Sequence, residues 1–134
     1  QMKKTILLSL LSVLVFSCGK INTPNAESKK IFGTWRFVYS SGGFSGAGNA
    51  SYDATDTYEY EENGTFSHRK GGQLIDQMSF SLQLGPSIMS QTDQLLIHYG
   101  GASQQLTQSC QIHHDTLVLS DEVFDGFQYV FVKE

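Results

Sequence analysis

The chain has 134 residues and a formal net charge of −4, with thirteen acidic residues against nine basic ones, of which only Arg36 and Arg69 are arginine. That balance lacks the basic footprint a nucleic-acid binder needs, so nucleic acid is set aside as a partner. The length suits one domain that can bury most of its apolar surface.

Lys3 and Lys4 precede an almost unbroken apolar run over residues 6–16, followed by the small Ser17 and by Cys18. A basic start, a short apolar centre and a small-residue cleavage site mark residues 1–17 as a secretory signal peptide. Gln1, ahead of Met2, plays no role in that pattern. The run is too short to span a hydrocarbon layer of roughly 30 Å, which takes about 20 apolar residues, so removal is expected rather than retention. Val15, Phe16, Ser17 and Cys18 together resemble the bacterial lipobox, whose cysteine thiol receives a diacylglycerol and becomes the new N-terminus. The resemblance implies a lipoprotein held at a membrane through Cys18. Each buried methylene contributes about 0.8 kcal/mol, and two or more chains anchor durably where one does not. An aspartate after the lipidated cysteine favours inner-membrane retention in such proteins; Gly19 stands there, so the outer membrane of the cell envelope is the expected location. Loss of Lys3 and Lys4 makes the mature chain more acidic by two charges, and Cys110 becomes its one unmodified thiol, so no disulfide can form within a monomer.

Residues 18–30 are expected to be the lipidated N-terminus and a flexible tether: they are polar, include Pro24 and show no apolar periodicity. From residue 31 to 134 the chain reads as short alternating segments closed by turn residues. The first, 33–39, sets Trp35, Phe37 and Tyr39 on one face and Thr34, Arg36 and Val38 on the other, the period of a half-buried strand. Residues 40–54, rich in glycine and serine with Phe44 near the centre, read as a long loop. Residues 55–61 and 64–70 form two strands around Asn63 and Gly64, a strong two-residue hairpin signal because both tolerate positive φ. Residues 74–84 follow, with Leu74, Met78, Phe80, Leu82 and Leu84 on one face. Strands at 94–99, 105–113, 116–121 and 127–133 complete the series, and no segment sustains a helical period. Eight consecutive antiparallel strands leave exposed edges unless the sheet closes, so the expected fold is an all-β up-and-down barrel, with a two-sheet sandwich as the alternative.

Gly33, Thr34 and Trp35 match the Gly-x-Trp that opens the first strand of lipocalins and their calycin relatives. More specifically, the chain resembles the small lipocalin-like lipoproteins of Bacteroidetes-type bacteria. The matching stretches are residues 34–38 running into 41–46, then Tyr58-Glu59-Tyr60 with Asn63-Gly64-Thr65-Phe66, and at the close 115–121 and 125–132. Two departures stand out. Lipocalins usually place an arginine over the first-strand tryptophan, whereas the nearest basic residue here is Lys133; its stem can cross Trp35 with a cation–π gain of about 0.5 to 1 kcal/mol, without guanidinium stacking. The second lipocalin signature, around Thr-Asp-Tyr, has no clear counterpart. The resemblance implies non-catalytic binding of a small, mostly apolar ligand in the barrel mouth.

An eight-stranded barrel either holds one small ligand or is filled by its own side chains. The expected inward set is Trp35, Phe37, Tyr39, Tyr58, Tyr60, Phe66, Phe80, Tyr129 and Phe131, from which Trp35, Phe37, Tyr58, Tyr60, Phe80 and Tyr129 are the candidate ligand contacts. Phe44 is the candidate residue of a lid loop, and Trp35 with Lys133 the candidate barrel-closing pair. His113, His114 and Asp115 look chemical, but neighbours on a strand point to opposite faces, so no metal site is expected there or with His68 and His98. Cys110 shares the parity of Leu106 and Ile112 and is expected to be a buried, inert thiol. The carboxylates Glu59, Glu61, Glu62, Asp76 and Asp93 form no recognisable acid–base pair in sequence, and no nucleophile motif or phosphate-cradling loop is present. The reading is of a non-enzyme without a cofactor. The alternative to ligand binding is a filled barrel acting through its loops on a protein partner, as an envelope adaptor or inhibitor.

Overall fold

The structure, a computed structural model, describes residues 25–44, 46, 52–100 and 106–134. The expected signal peptide and the candidate lipidation residue Cys18 lie outside the described residues. A 3-10 turn, Ser28–Ile31, leads into eight strands: β1 (Gly33–Gly42), β2 (Asp56–Tyr60), β3 (Thr65–Lys70), β4 (Gln73–Pro86), β5 (Asp93–Gly100), β6 (Leu106–His113), β7 (Thr116–Asp121) and β8 (Phe127–Lys133). Each strand pairs antiparallel with the next and β8 pairs back onto β1, closing an up-and-down barrel. Closure satisfies every strand edge within the chain, which a sandwich would not.

Two register shifts decide which side chains face inward. On β1 the pairing steps from Phe37 opposite Phe131 to Tyr39 opposite Val130, so Val38 is an extra, unpaired residue. A bulge of one residue turns everything beyond it to the other face. Tyr39, expected inside, is therefore outside and 54% exposed. On β4 the pairing with β3 steps from Asp76 opposite His68 to Leu74 opposite Arg69, leaving Ile75 as the extra residue. Leu74 is thus turned out of the face it was expected to share with Met78 and Phe80. Leu84 keeps the inward parity but lies beyond Ser79, the last β4 residue paired with β3, and is 63% exposed because no wall stands over it.

The end of the barrel nearest the N-terminus is sealed. Ile31 is fully buried there, a burial worth about 1.5 to 3 kcal/mol. Residues 28–30, read from the sequence as part of a tether, lie in this turn, which has its own anchors. Asn25 Oδ1 accepts hydrogen bonds from Ser28 N and Ser28 Oγ, both at 2.8 Å, and Ile31 O accepts one from Trp35 Nε1 at 2.7 Å. Lys133, opposite Trp35 in the ladder, carries its Nζ 4.8 Å from the indole ring and donates to Phe32 O at 2.9 Å. Gly33 takes φ 122°, and a Cβ there would stand 3.2 Å from Lys133 Cε, so the lysine stem needs glycine beneath it.

The turn between β2 and β3 differs from the expected two-residue hairpin. Only Gly64 has positive φ, 85°, and its N–H donates to Glu61 O at 3.0 Å across a four-residue turn. Asn63 instead uses its side-chain carbonyl to accept from Thr65 N at 2.9 Å, which holds it in an ordinary conformation. At the end opposite the seal lie the β1–β2, β3–β4, β5–β6 and β7–β8 connections.

Candidate functional site

The barrel interior divides along its axis. Around the sealed end Trp35, Phe37, Tyr60, Phe80, Ile97, Leu117, Leu119 and Phe131 are buried in one cluster. Their rings meet edge-on or tilted, as with Phe37 and Phe131 at 5.6 Å and Tyr60 and Phe80 at 5.2 Å. Toward the other end the side chains separate around a cavity of about 300 Å³.

Tyr58, Phe66 and Tyr99, all buried, contribute rings to this cavity, with Phe66 5.1 Å from Tyr99 and 4.9 Å from Tyr58 in perpendicular contact. Met78, Leu106 and Tyr129 add further apolar surface, and Asp76, His68, Gln108 and Asp121 supply polar groups. Each comes from an inward position of its strand: His68 two residues beyond Phe66, Asp76 two before Met78, Gln108 two before Cys110, and Asp121 two beyond Leu119.

The polar groups are held by a directed chain of hydrogen bonds. Asp121 is a carboxylate and only accepts, so the Gln108 amide must turn its Nε2 toward Asp121 Oδ1, at 2.8 Å. Gln108 Oε1 then faces Tyr99 and accepts from its hydroxyl at 2.9 Å. With that proton committed, Tyr99 accepts from Tyr60, whose hydroxyl lies in the buried core. Asp121 Oδ2 accepts from Phe127 N at 3.2 Å, which ties the chain to β8. Every donor points at Asp121. Burial pushes the Tyr60 and Tyr99 hydroxyls above their ordinary pKa, and they remain donors.

A second cluster lies beside Tyr52, at the end of the β1–β2 connection. Tyr52 stacks on His68 with ring centres 5.4 Å apart and accepts from the Tyr58 hydroxyl at 3.0 Å. His68 Nε2 lies 2.6 Å from Asp56 Oδ1, and the Asp56 carboxylate is 1% exposed. Asp56 Oδ2 accepts from Asp53 N at 2.6 Å and faces Lys70 Nζ at 3.6 Å. Hydrogen bonds from the Thr55 hydroxyl and amide, with Lys70 at 3.2 Å, hold the Asp53 carboxyl down at about 2. The arrangement pins the residues that carry Tyr52 against β2 and β3.

Of the six candidate ligand contacts, Tyr58 and Tyr129 line the cavity; Trp35, Phe37, Tyr60 and Phe80 stand in the packed half. The residue that the long connection turns inward is Tyr52, whereas Phe44, the candidate lid residue, is 99% exposed. Trp35 and Lys133 meet as the sequence pairs them, at the sealed end. Cys110 is buried, and burial pushes its thiol up to about 12. His113 and His114 are exposed at the β6–β7 turn, where His114 takes φ 54°. Sequence reasoning missed Tyr52, Met78, Tyr99, Leu106, His68, Asp76, Gln108 and Asp121 as cavity residues, although strand parity pointed the last four inward. Compared with protein-family models, curated proteins and solved structures, the chain matches none.

Proposed function

We propose that the protein is a lipocalin-like, membrane-tethered binding protein that holds a small, mostly apolar ligand in the open half of its barrel and performs no chemistry on it. The observation that carries the reading is the cavity of about 300 Å³, a size at the lower bound for small-molecule sites. Seven of its eleven lining side chains are aromatic or aliphatic, and polar groups, tyrosine hydroxyls among them, supply about half of the exposed wall and orient the occupant. In this reading Cys18 carries the lipid at the outer membrane. Asn25 and the 3-10 turn belong to the sealed end, so the chain enters the barrel at the end opposite the mouth.

Titration with 1-aminoanthracene, a neutral three-ring fluorophore, tests the binding. The expected result is saturable fluorescence enhancement that Leu106→Trp abolishes, since Leu106 is half exposed at the cavity rim and an indole there blocks entry. No enhancement, or enhancement unchanged in L106W, would contradict a ligand in this cavity. The lipid anchor has its own check: Cys18→Ser should move the protein from the membrane to the soluble fraction, and persistent membrane fractionation would sink it.

A second reading, docking to a protein partner through the mouth loops, is favoured by Phe44 and Phe124. These are 99% and 88% exposed, on connections joined by a hydrogen bond from Gly43 N to Gly126 O. Phe124→Ser that leaves ligand binding intact while releasing a co-purifying protein would move the function to that surface.

A further inference from the structure

We infer that the cavity selects an organic cation, an ammonium group carried on a compact apolar body; the inference rests on the ligand-binding reading above. Among the described residues the full-charge groups in its wall are both carboxylates, Asp76 on β4 and Asp121 on β7, and no described lysine or arginine lines it. His68, the remaining titratable base there, is engaged by the buried Asp56 behind it, so its partner charge is negative as well.

Lys70, at the end of β3, lies 3.2 Å from Asp53 and 3.6 Å from Asp56, so its field is directed at those two carboxylates. Asp121 is the end point of the Tyr60–Tyr99–Gln108 chain, in which every dipole presents its positive end toward that carboxylate and holds it in place. Asp76 accepts from the adjacent Gln77 N, at 2.9 Å, and is otherwise exposed in the cavity wall, so its charge is open to an occupant.

The same cavity is lined by the rings of Tyr52, Tyr58, Phe66, Tyr99 and Tyr129. The negative faces of aromatic rings attract ammonium groups, and the attraction grows as water is excluded. An anionic ligand would meet two like charges and gain nothing from the rings. A bare metal ion is a poor alternative: among the described residues no three His, Cys, Asp or Glu side chains converge to hold one. What remains is a diffuse cation whose body fills the apolar region of the cavity while its charge sits between Asp76 and Asp121.

Three probes of nearly one shape separate the charge claim from the binding claim: 2-phenylethylammonium, 2-phenylethanol and 3-phenylpropanoate, titrated calorimetrically into the purified protein at low salt. The ammonium should bind at least tenfold tighter than the alcohol, and the carboxylate should bind weakest. Asp76→Asn, a change at an exposed side chain bonded to its own neighbour, should cut the ammonium's advantage over the alcohol several-fold, as should raising the salt. Asp121→Asn should do the same, with thermal melting as the check that the Gln108 contact has not been lost with the fold. Equal or tighter binding of the alcohol, or an advantage that survives D76N, overturns the cation inference and leaves the ligand-binding reading standing. Failure of all three probes and of 1-aminoanthracene overturns both.

Discussion

Aromatic side chains fill both halves of the barrel, yet they do opposite things there. In the sealed half Trp35, Phe37, Tyr60, Phe80 and Phe131 form one buried cluster with Ile31, Leu117 and Leu119. In the open half Tyr58, Phe66, Tyr99 and Tyr129 stand around a void, because Asp76, Gln108, Asp121 and His68 replace the aliphatic residues that would otherwise meet them. The strands are the same strands, continued past one another. What changes is the chemistry of the inward positions, from apolar to polar, over two or four residues of β3, β4, β6 and β7. A polar inward position is tolerable only with a hydrogen-bond partner, and none of the described buried side-chain polar atoms lacks one.

The contrast breaks most visibly under truncation. Phe131→Ala in the packed half should lower unfolding stability by about 3 to 5 kcal/mol, since the space cannot collapse. Tyr129→Ala, whose ring borders the existing void, should cost clearly less in the same urea titration. Comparable losses would mean the open half is packed too. The β1 bulge gives a finer comparison between near neighbours: Phe37→Ala should cost about 3 kcal/mol or more, and Tyr39→Ala about 0.5 kcal/mol or less, because the extra Val38 puts Tyr39 outside. Similar values for the two would remove the bulge.

Cys110 reports on the packed side of the boundary. Its thiol is held protonated up to about 12 by burial, so the folded protein should react with a thiol reagent at pH 8 far more slowly than the unfolded chain. The folded state binds this proton more tightly than the unfolded one, so its contribution to stability is complete below the unfolded thiol's pKa and is lost as pH rises toward 12. Prompt modification under native conditions would show the interior open to solvent there. The smallest effect belongs to the loop anchor. Asp53 is ionised in the fold down to about pH 2, so its contribution is present above the ordinary aspartate range and fades as pH falls through 2. Carboxyl NMR titration should find it lower than the solvent-facing aspartates, and an ordinary value would break the link among Thr55, Lys70 and Asp53.

Much of this architecture is legible from alternation alone. All eight strands appear within a residue or two of the expected bounds except where β1 runs on to Gly42. The departures have local causes. Tyr39 and Leu74 leave the expected face because a bulge is a tertiary compromise that does not alter the residue pattern itself. The turn that buries Ile31 is four residues long, too short to show a helical period. The cavity is the least legible feature, since apolar bulk is the natural sequence signal for an apolar site. In the structure that bulk fills the sealed half, and the cavity is marked by the polar residues that share its inward parity.

Native mass spectrometry of the protein, purified gently from its own cells, tests the central claim most directly. The account predicts a retained small molecule in one-to-one ratio, one that carries an amine and is lost from L106W. A clean ligand-free mass that stays unchanged after incubation with envelope extract would contradict it.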